Sequence, residues 1–202
     1  MKNCRYVVIL MFILSVGNAT TISQVNIFKL YQQADIVALV RIESGEIIEG
    51  IDFSCGTKYK GKVIRPLKNT KINQIIEFGY YMGSGIGGQY IVFLNKKQNV
   101  YNPINSTNSS SENFQYQFNK VCNPKHPNYI VMHHGVGSQK LEYHGDTKSD
   151  YAFLIPTKYL ELPKGTKLIE PEESDCNIWE ECKWVDKETV LKMLIKQNTK
   201  LK

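Results

Sequence analysis

The chain lacks the short patterns that announce zinc chemistry. No two of its five cysteines stand as C-x-x-C, which excludes a zinc ribbon. No H-E-x-x-H is present, so the metalloprotease helix is excluded as well. No apolar run reaches the roughly 18 residues that a spanning helix needs. No internal repeat is visible. Excess charge is also modest: the 202 residues carry a formal +6 at pH 7, which by itself does not imply nucleic acid.

What is present begins with a processing signal. "MKNCR" supplies Lys2 and Arg5, "YVVILMFILSV" is apolar, and Gly17 and Ala19 stand at the small-residue positions of a cleavage site. This is the order of a secretory signal peptide over residues 1–19, which places the mature protein outside the cell or in a periplasm. No stable membrane span is expected after cleavage. Cleavage also removes two basic residues and no acidic one, so the net charge falls to +4. Cys55, Cys122, Cys176 and Cys182 remain. An even count in an exported chain favours disulfides, and four cysteines allow three pairings. The proximity of Cys176 and Cys182 suggests a local bridge, which would leave Cys55 for Cys122.

Patterning along the chain is mainly β. "SQVNIFKLYQQAD" reads as a short helix capped by Ser23. "DIVALVRIE" reads as a buried strand, and "GEIIEGIDFSCG" as a glycine-bounded connection. "TKYKGKVIR" alternates, with Lys58, Lys60 and Lys62 on one face and Tyr59, Gly61 and Val63 on the other. Pro66 is expected to limit that strand. "QIIEFGYYM" and "QYIVFL" are further strands, the second apolar on both faces and therefore central. A polar segment, 102–113, is an exposed loop. "FQYQF", "YIVMHH" and "YAFLIP" are strand candidates, and 163–182 is irregular and acidic. "DKETVLKMLIKQNTK" is a helix capped by Asp186, with Val190, Leu191, Leu194 and Ile195 as its apolar stripe. Many short strands with a helix at each end favour a small barrel or sandwich over a parallel α/β sheet.

Gly83, Gly85 and Gly88 satisfy the dinucleotide pattern G-x-G-x-x-G. That pattern works only where the glycines open a helix whose N-terminus holds the pyrophosphate. Here they lead into a strand, and residues 100–111 hold no Asp or Glu for a ribose. A turn is expected, with no dinucleotide and no other cofactor.

The order of these features resembles netrin-like domains. These are the oligonucleotide/oligosaccharide-binding (OB) barrels shared with tissue inhibitors of metalloproteinases and with bacterial secreted proteins. "QQADIVALVRIESGE" is similar to their opening strand, and "SCGTKYKGKVIRPLK" to the next. Lys68-Asn69 stands where their turn has Lys-Gly. "GIGGQYIVFLNK" and "FQYQFNKVCNP" resemble later segments. The resemblance covers roughly residues 30–123. It implies a small closed antiparallel barrel of five strands with flanking helices, and it supports a Cys55–Cys122 bridge. The barrel is thus expected over 20–123, with 124–202 as a β extension and C-terminal helix packed on it. The inhibitors of that family chelate zinc through an N-terminal cysteine. This chain is expected to mature at Thr20-Thr21-Ile22, with no cysteine before Cys55, so that mechanism is not inherited.

Several residues could carry function. Lys58, Lys60 and Lys62 could bind an anionic polymer, or could simply solvate a strand face. His133, His134 and His144 could ligate a metal, but adjacent strand residues point to opposite faces, and no metal is expected. Glu172, Glu173, Asp175, Glu180 and Glu181 form an acidic loop without calcium-ligand spacing. Asn105 and Asn108 head glycosylation sequons if the host is eukaryotic. The expected function is a non-catalytic binding module whose partner is a protein or an anionic glycan. The alternatives are a protease inhibitor that does not chelate zinc, and an enzyme using Cys55 or His133/His134.

Overall fold

A computed structural model describes residues 24–50, 54–79, 83–97, 121–172 and 181–200. The expected signal peptide, Ser23, the polar loop with Asn105 and Asn108, the "FQYQF" strand, Cys176 and most of the acidic loop lie outside these residues.

The described chain is mainly β. Strand β1 (Val25–Asn26) leads into helix α1 (Ile27–Gln33). Then follow β2 (Ile36–Glu49), β3 (Ser54–Lys68), β4 (Ile75–Gly79), β5 (Gln89–Lys96) and β6 (Tyr129–Val131). Next come β7 (Ser138–Tyr143), β8 (Tyr151–Ile155), β9 (Leu160–Glu161), β10 (Lys183–Asp186) and helix α2 (Lys187–Lys200). Strands β2, β3, β4, β6 and β5 pair in that order, and β5 returns to β2, which closes a five-stranded barrel. The pairing of β4 with β6 is parallel; the other barrel pairings are antiparallel. This closed order is compatible with an OB-like fold. The barrel runs past residue 123, the boundary expected from the sequence, because β6 supplies its closing strand.

Strand β5 shares one edge between two partners. Gln89–Val92 pair with β7, and Leu94–Lys96 pair with β6. Strands β7, β8 and β10 therefore continue the sheet sideways from the barrel. The period-2 alternation of β2 and β5 then fills two cores. Ile36, Ala38, Val40, Ile42, Tyr90, Val92 and Leu94 point into the barrel, with Tyr59, Val63 and Phe78. Val37, Leu39, Ile91 and Phe93 point outward, against Leu30 and Tyr31 of α1 and Val190, Leu191 and Leu194 of α2. Strands covered on both faces must be apolar throughout, which is how "IVALV" and "YIVFL" read. Of the expected helical stripe only Ile195 stays exposed, at 38%, on the margin of the buried face.

Local details depart from the sequence reading for identifiable reasons. The side chain of Asn26 accepts from Phe28 N and Lys29 N, so Asn26 caps α1; β1 pairs with β9 just before it. Most of the expected "GEIIEGIDFSCG" connection is paired strand, because β2 continues to Glu49 opposite β3. Pro66 does not end β3. It lies beyond the residues that β4 pairs with, and beside a register shift, where a missing N–H is tolerated. "YIVMHH" splits into β6 and a 3-10 turn at Met132–Gly135. The segment after it contains β7, where Gln139 is buried and donates to Val136 O at 2.7 Å.

Lys68 closes the C-terminal end of α1. Its ammonium donates to Tyr31 O, Gln32 O and Ala34 O at 3.0, 2.8 and 2.6 Å. Helix ends leave such carbonyls unpaired, and a cation there also suits the helix dipole. Burial lowers the Lys68 pKa, while Asp35 works the other way. Asn69 follows with φ of 53°, the left-handed conformation in which Asn replaces Gly at least cost. Lys68→Met keeps the aliphatic stem and removes the charged donor. It is expected to cost about 2 kcal/mol, read as a lower thermal midpoint.

Candidate functional site

Of the barrel's outer surface, one part lies under the helices and another is open. The outward side chains of the open part come from Arg41, Ser44 and Glu46 on β2, with exposed Glu43 at the register shift between Ile42 and Ser44, from Lys58, Lys60 and Lys62 on β3, and from Ile75 and Glu77 on β4. Register makes three rows. Arg41, Lys62 and Ile75 lie side by side, then Ser44, Lys60 and Glu77, then Glu46 and Lys58. Rows along a strand are ~7 Å apart, and direct cross-strand neighbours sit ~5 Å apart.

The lysine stripe expected from the sequence is on this face, but its members are not equivalent. Lys58 Nζ lies 2.8 Å from Glu46 Oε2, and Lys60 Nζ lies 3.3 Å from Glu77 Oε1. The hydrogen bond between Lys58 and Glu46 raises the pKa of the lysine and lowers that of the glutamate. Further along β3, Arg65 pairs with Glu188 of α2 at 3.1 Å, and Lys68 holds α1. Lys62 has no ion pair among the described residues, and neither does Arg41 directly opposite it. Like charges directly opposed across two strands disfavour the sheet by a few tenths of a kcal/mol. Sequence reading missed Arg41, because the cross-strand register that makes it a neighbour of Lys62 has no local signature.

The glycine segment is a turn built around two tyrosines. Gly83 N and Ser84 N both donate to Tyr59 Oη at 3.2 Å, and Gly85 N donates to Tyr90 Oη at 2.8 Å. Gly87 N donates to Ile42 O, and Ile42 N donates to Gly88 O. Gly83 and Gly87 have φ of 132° and 83°. A Cβ on Gly88 would lie 2.8 Å from Tyr90 Cε2. The glycines thus bring backbone onto the phenols, and these amides are spent on phenol oxygens rather than offered to a phosphate. The chain then runs into β5, not into a helix. Ile86, at the tip, is 70% exposed.

The histidines do not converge. His133 is exposed in the 3-10 turn before β7, and His144 follows β7, ~20 Å away by strand length. The side chain of His134 is outside the described set. His144 stacks edge-on against Trp184, with centroids 5.2 Å apart. Among the described residues no group of three His, Cys, Asp or Glu side chains could hold a metal ion.

Cys55 and Cys122 form a disulfide, so Cys55 offers no thiol while that bridge stands. Cys182 is disulfide-bonded as well. Beside the first bridge lies His126, only 4% exposed, just after the 3-10 turn at Asn123–Lys125. A Cβ on Gly79 of β4 would meet its Nδ1 at 3.2 Å. Burial lowers the His126 pKa below the ordinary 6.5; Lys97 adds to this, while a hydrogen bond to the Cys55 backbone opposes it. Between the folded and unfolded pKa values the unfolded chain binds more protons. This contribution to stability is therefore complete above about 6.5 and is lost as pH falls through the folded value. Urea midpoints are expected to drop between pH 7.5 and 5.5, and to drop less in His126→Gln. An equal drop in both would remove His126 as the cause.

Asp186 caps α2 as the sequence suggests, accepting from Thr189 N at 3.0 Å. It also accepts from Ser149 N and Oγ, which ties the β7–β8 turn to the helix. Burial would raise its pKa, but these hydrogen bonds prevail and hold it below the ordinary carboxylate value.

No helix among the described residues is long and apolar enough to cross a membrane. Comparison of the chain with protein-family models, with curated proteins and with solved structures gives no match.

Proposed function

We propose that the protein is a secreted or periplasmic binding module without chemistry of its own, built on a netrin-like barrel. The netrin-like assignment is supported by the order of sequence features, by the closed barrel, and by a Cys55–Cys122 bridge where the resemblance implies one. Export is supported by the charged, apolar and small residues of 1–19 and by the disulfides. The observation that carries the binding reading is the open barrel face. Helices cover its neighbour, yet this part keeps a column of cations and a like-charged pair, Arg41 and Lys62, with no acid between them. OB barrels use the corresponding face, across their second and third strands, for ligands.

The test is charge reversal. The triple variant Lys58→Glu, Lys60→Glu, Lys62→Glu is expected to elute from heparin or lipopolysaccharide columns at lower salt than the parent. Identical elution would return the face to plain solvation.

The pinned glycine turn favours a second reading, inhibition of a protease by loop insertion. A rigid turn with Ile86 at its tip presents an apolar anchor at little entropic cost. Inhibition of any serine, cysteine or metalloprotease in a panel, lost in Ile86→Glu, would support it; no inhibition across the panel would end it.

A further inference from the structure

We propose that Arg41 and Lys62 form the recognition centre for a polyanionic glycan, a narrowing that rests on the open-face binding module proposed above. Strand β3 carries Lys58, Lys60, Lys62, Arg65 and Lys68. Four of these have structural tasks: Lys58, Lys60 and Arg65 hold carboxylates, and Lys68 holds the end of α1. Lys62 is left, and Arg41 lies directly opposite it on β2. A guanidinium beside an ammonium presents a planar donor fork and a point charge to the same anionic group. A sulfate, phosphate or carboxylate there would also relieve the repulsion between them.

The surroundings select among polyanions. Bases of single-stranded nucleic acid need aromatic platforms on the strand face. Among the described residues of these strands, Tyr59, Phe78 and Tyr90 point into the barrel, and Phe93 lies under the helices. The outward positions hold Lys, Arg, Glu, Ser and Ile instead. A protein partner would need a buried apolar or aromatic anchor at the centre of the patch. Within the pair's own row Ile75 is the apolar member, at 47% exposure, and it stands at the end of that row; Ile72 and Ile86 are exposed on separate turns, outside the row. Gln89 flanks the pair on the other side, across from Arg41. Two cations between a hydrogen-bonding amide and one aliphatic side chain suit a sugar bearing an anionic substituent.

Two neutralising double variants separate this site from net charge. Arg41→Gln with Lys62→Gln, and Lys58→Gln with Lys60→Gln, remove equal charge from the same face. Binding to immobilised heparin is measured across a salt series, with oligodeoxythymidine and poly-glutamate as competing probes. The Arg41/Lys62 double is expected to bind heparin about tenfold more weakly, with the slope of log affinity against log salt reduced by about two. The Lys58/Lys60 double is expected to stay within about threefold of the parent, because those lysines already hold carboxylates. Equal losses in both doubles would overturn the site, and tighter binding of oligodeoxythymidine or poly-glutamate than of heparin would overturn the ligand class. A parent that binds none of the three probes overturns this proposal and also removes charge recognition from the binding-module reading. A parent that binds with both doubles unaffected overturns only the narrowing.

Discussion

Removing the Cys55–Cys122 bridge is expected to destabilise the protein by about 4 kcal/mol. The two cysteines are 67 positions apart, and in the chain-entropy model a loop of that length gives this magnitude. The location of the bridge makes the effect specific. Cys55 opens β3, and Cys122 lies on the segment leading into β6. The closing strand is short. Among the described residues it pairs with β4 through Tyr129 and Ile130, and with β5 through Tyr129, Ile130 and Val131. So few ladder positions offset little of the entropy of ordering the segment before them. The double variant Cys55→Ser, Cys122→Ser avoids a stray thiol. Its urea midpoint should fall, and amide exchange of Tyr129–Val131 should accelerate more than that of β2. Loss of less than about 1 kcal/mol, or uniform acceleration, would show that the ladder closes the barrel unaided.

Phe93→Ala is expected to cost about 3–5 kcal/mol, the usual range for deleting a fully buried aromatic ring. Phe93 is 0% exposed and packs between the sheet and both helices. Its amide donates to Gly137 O at 2.7 Å, near the point where β5 passes from β7 to β6. Leu94, the next residue, faces the barrel interior instead. Leu94→Ala is expected to cost about 2–5 kcal/mol through a different cavity. The two substitutions should separate in hydrogen exchange: Phe93→Ala loosens α1, the helix that packs on β5, first, and Leu94→Ala loosens β3 and β4 first. Identical exchange patterns would mean that the two faces of β5 bound one cooperative core.

Much of this architecture is legible from local pattern. Strict alternation in "TKYKGKVIR" put the lysines outside and Tyr59 and Val63 inside, because neighbouring strand residues point to opposite faces whatever the fold. Double-sided apolarity marked β5 as central, and three strands indeed pair with it. A strand, not a helix, after Gly88 decided that the glycines were a turn. Asp186 was readable as a cap because a cap bond is made within three residues.

Other features depend on contacts between distant segments, which no local pattern records. Strand β7 was overlooked because its polar inward residue, Gln139, is buried only through a bond to Val136 O. Burial of His126 comes from β4 and the disulfide, not from its own short segment. The candidate site shows the same division. Composition and period put three lysines on one strand face. Register then tied Lys58 and Lys60 to Glu46 and Glu77, left Lys62 unpaired, and set Arg41 beside it. Sequence by itself determined which side chains point outward, since that follows from the geometry of one strand. Only the tertiary structure decided which cations are free, because a charge is neutralised by what the neighbouring strand places opposite it.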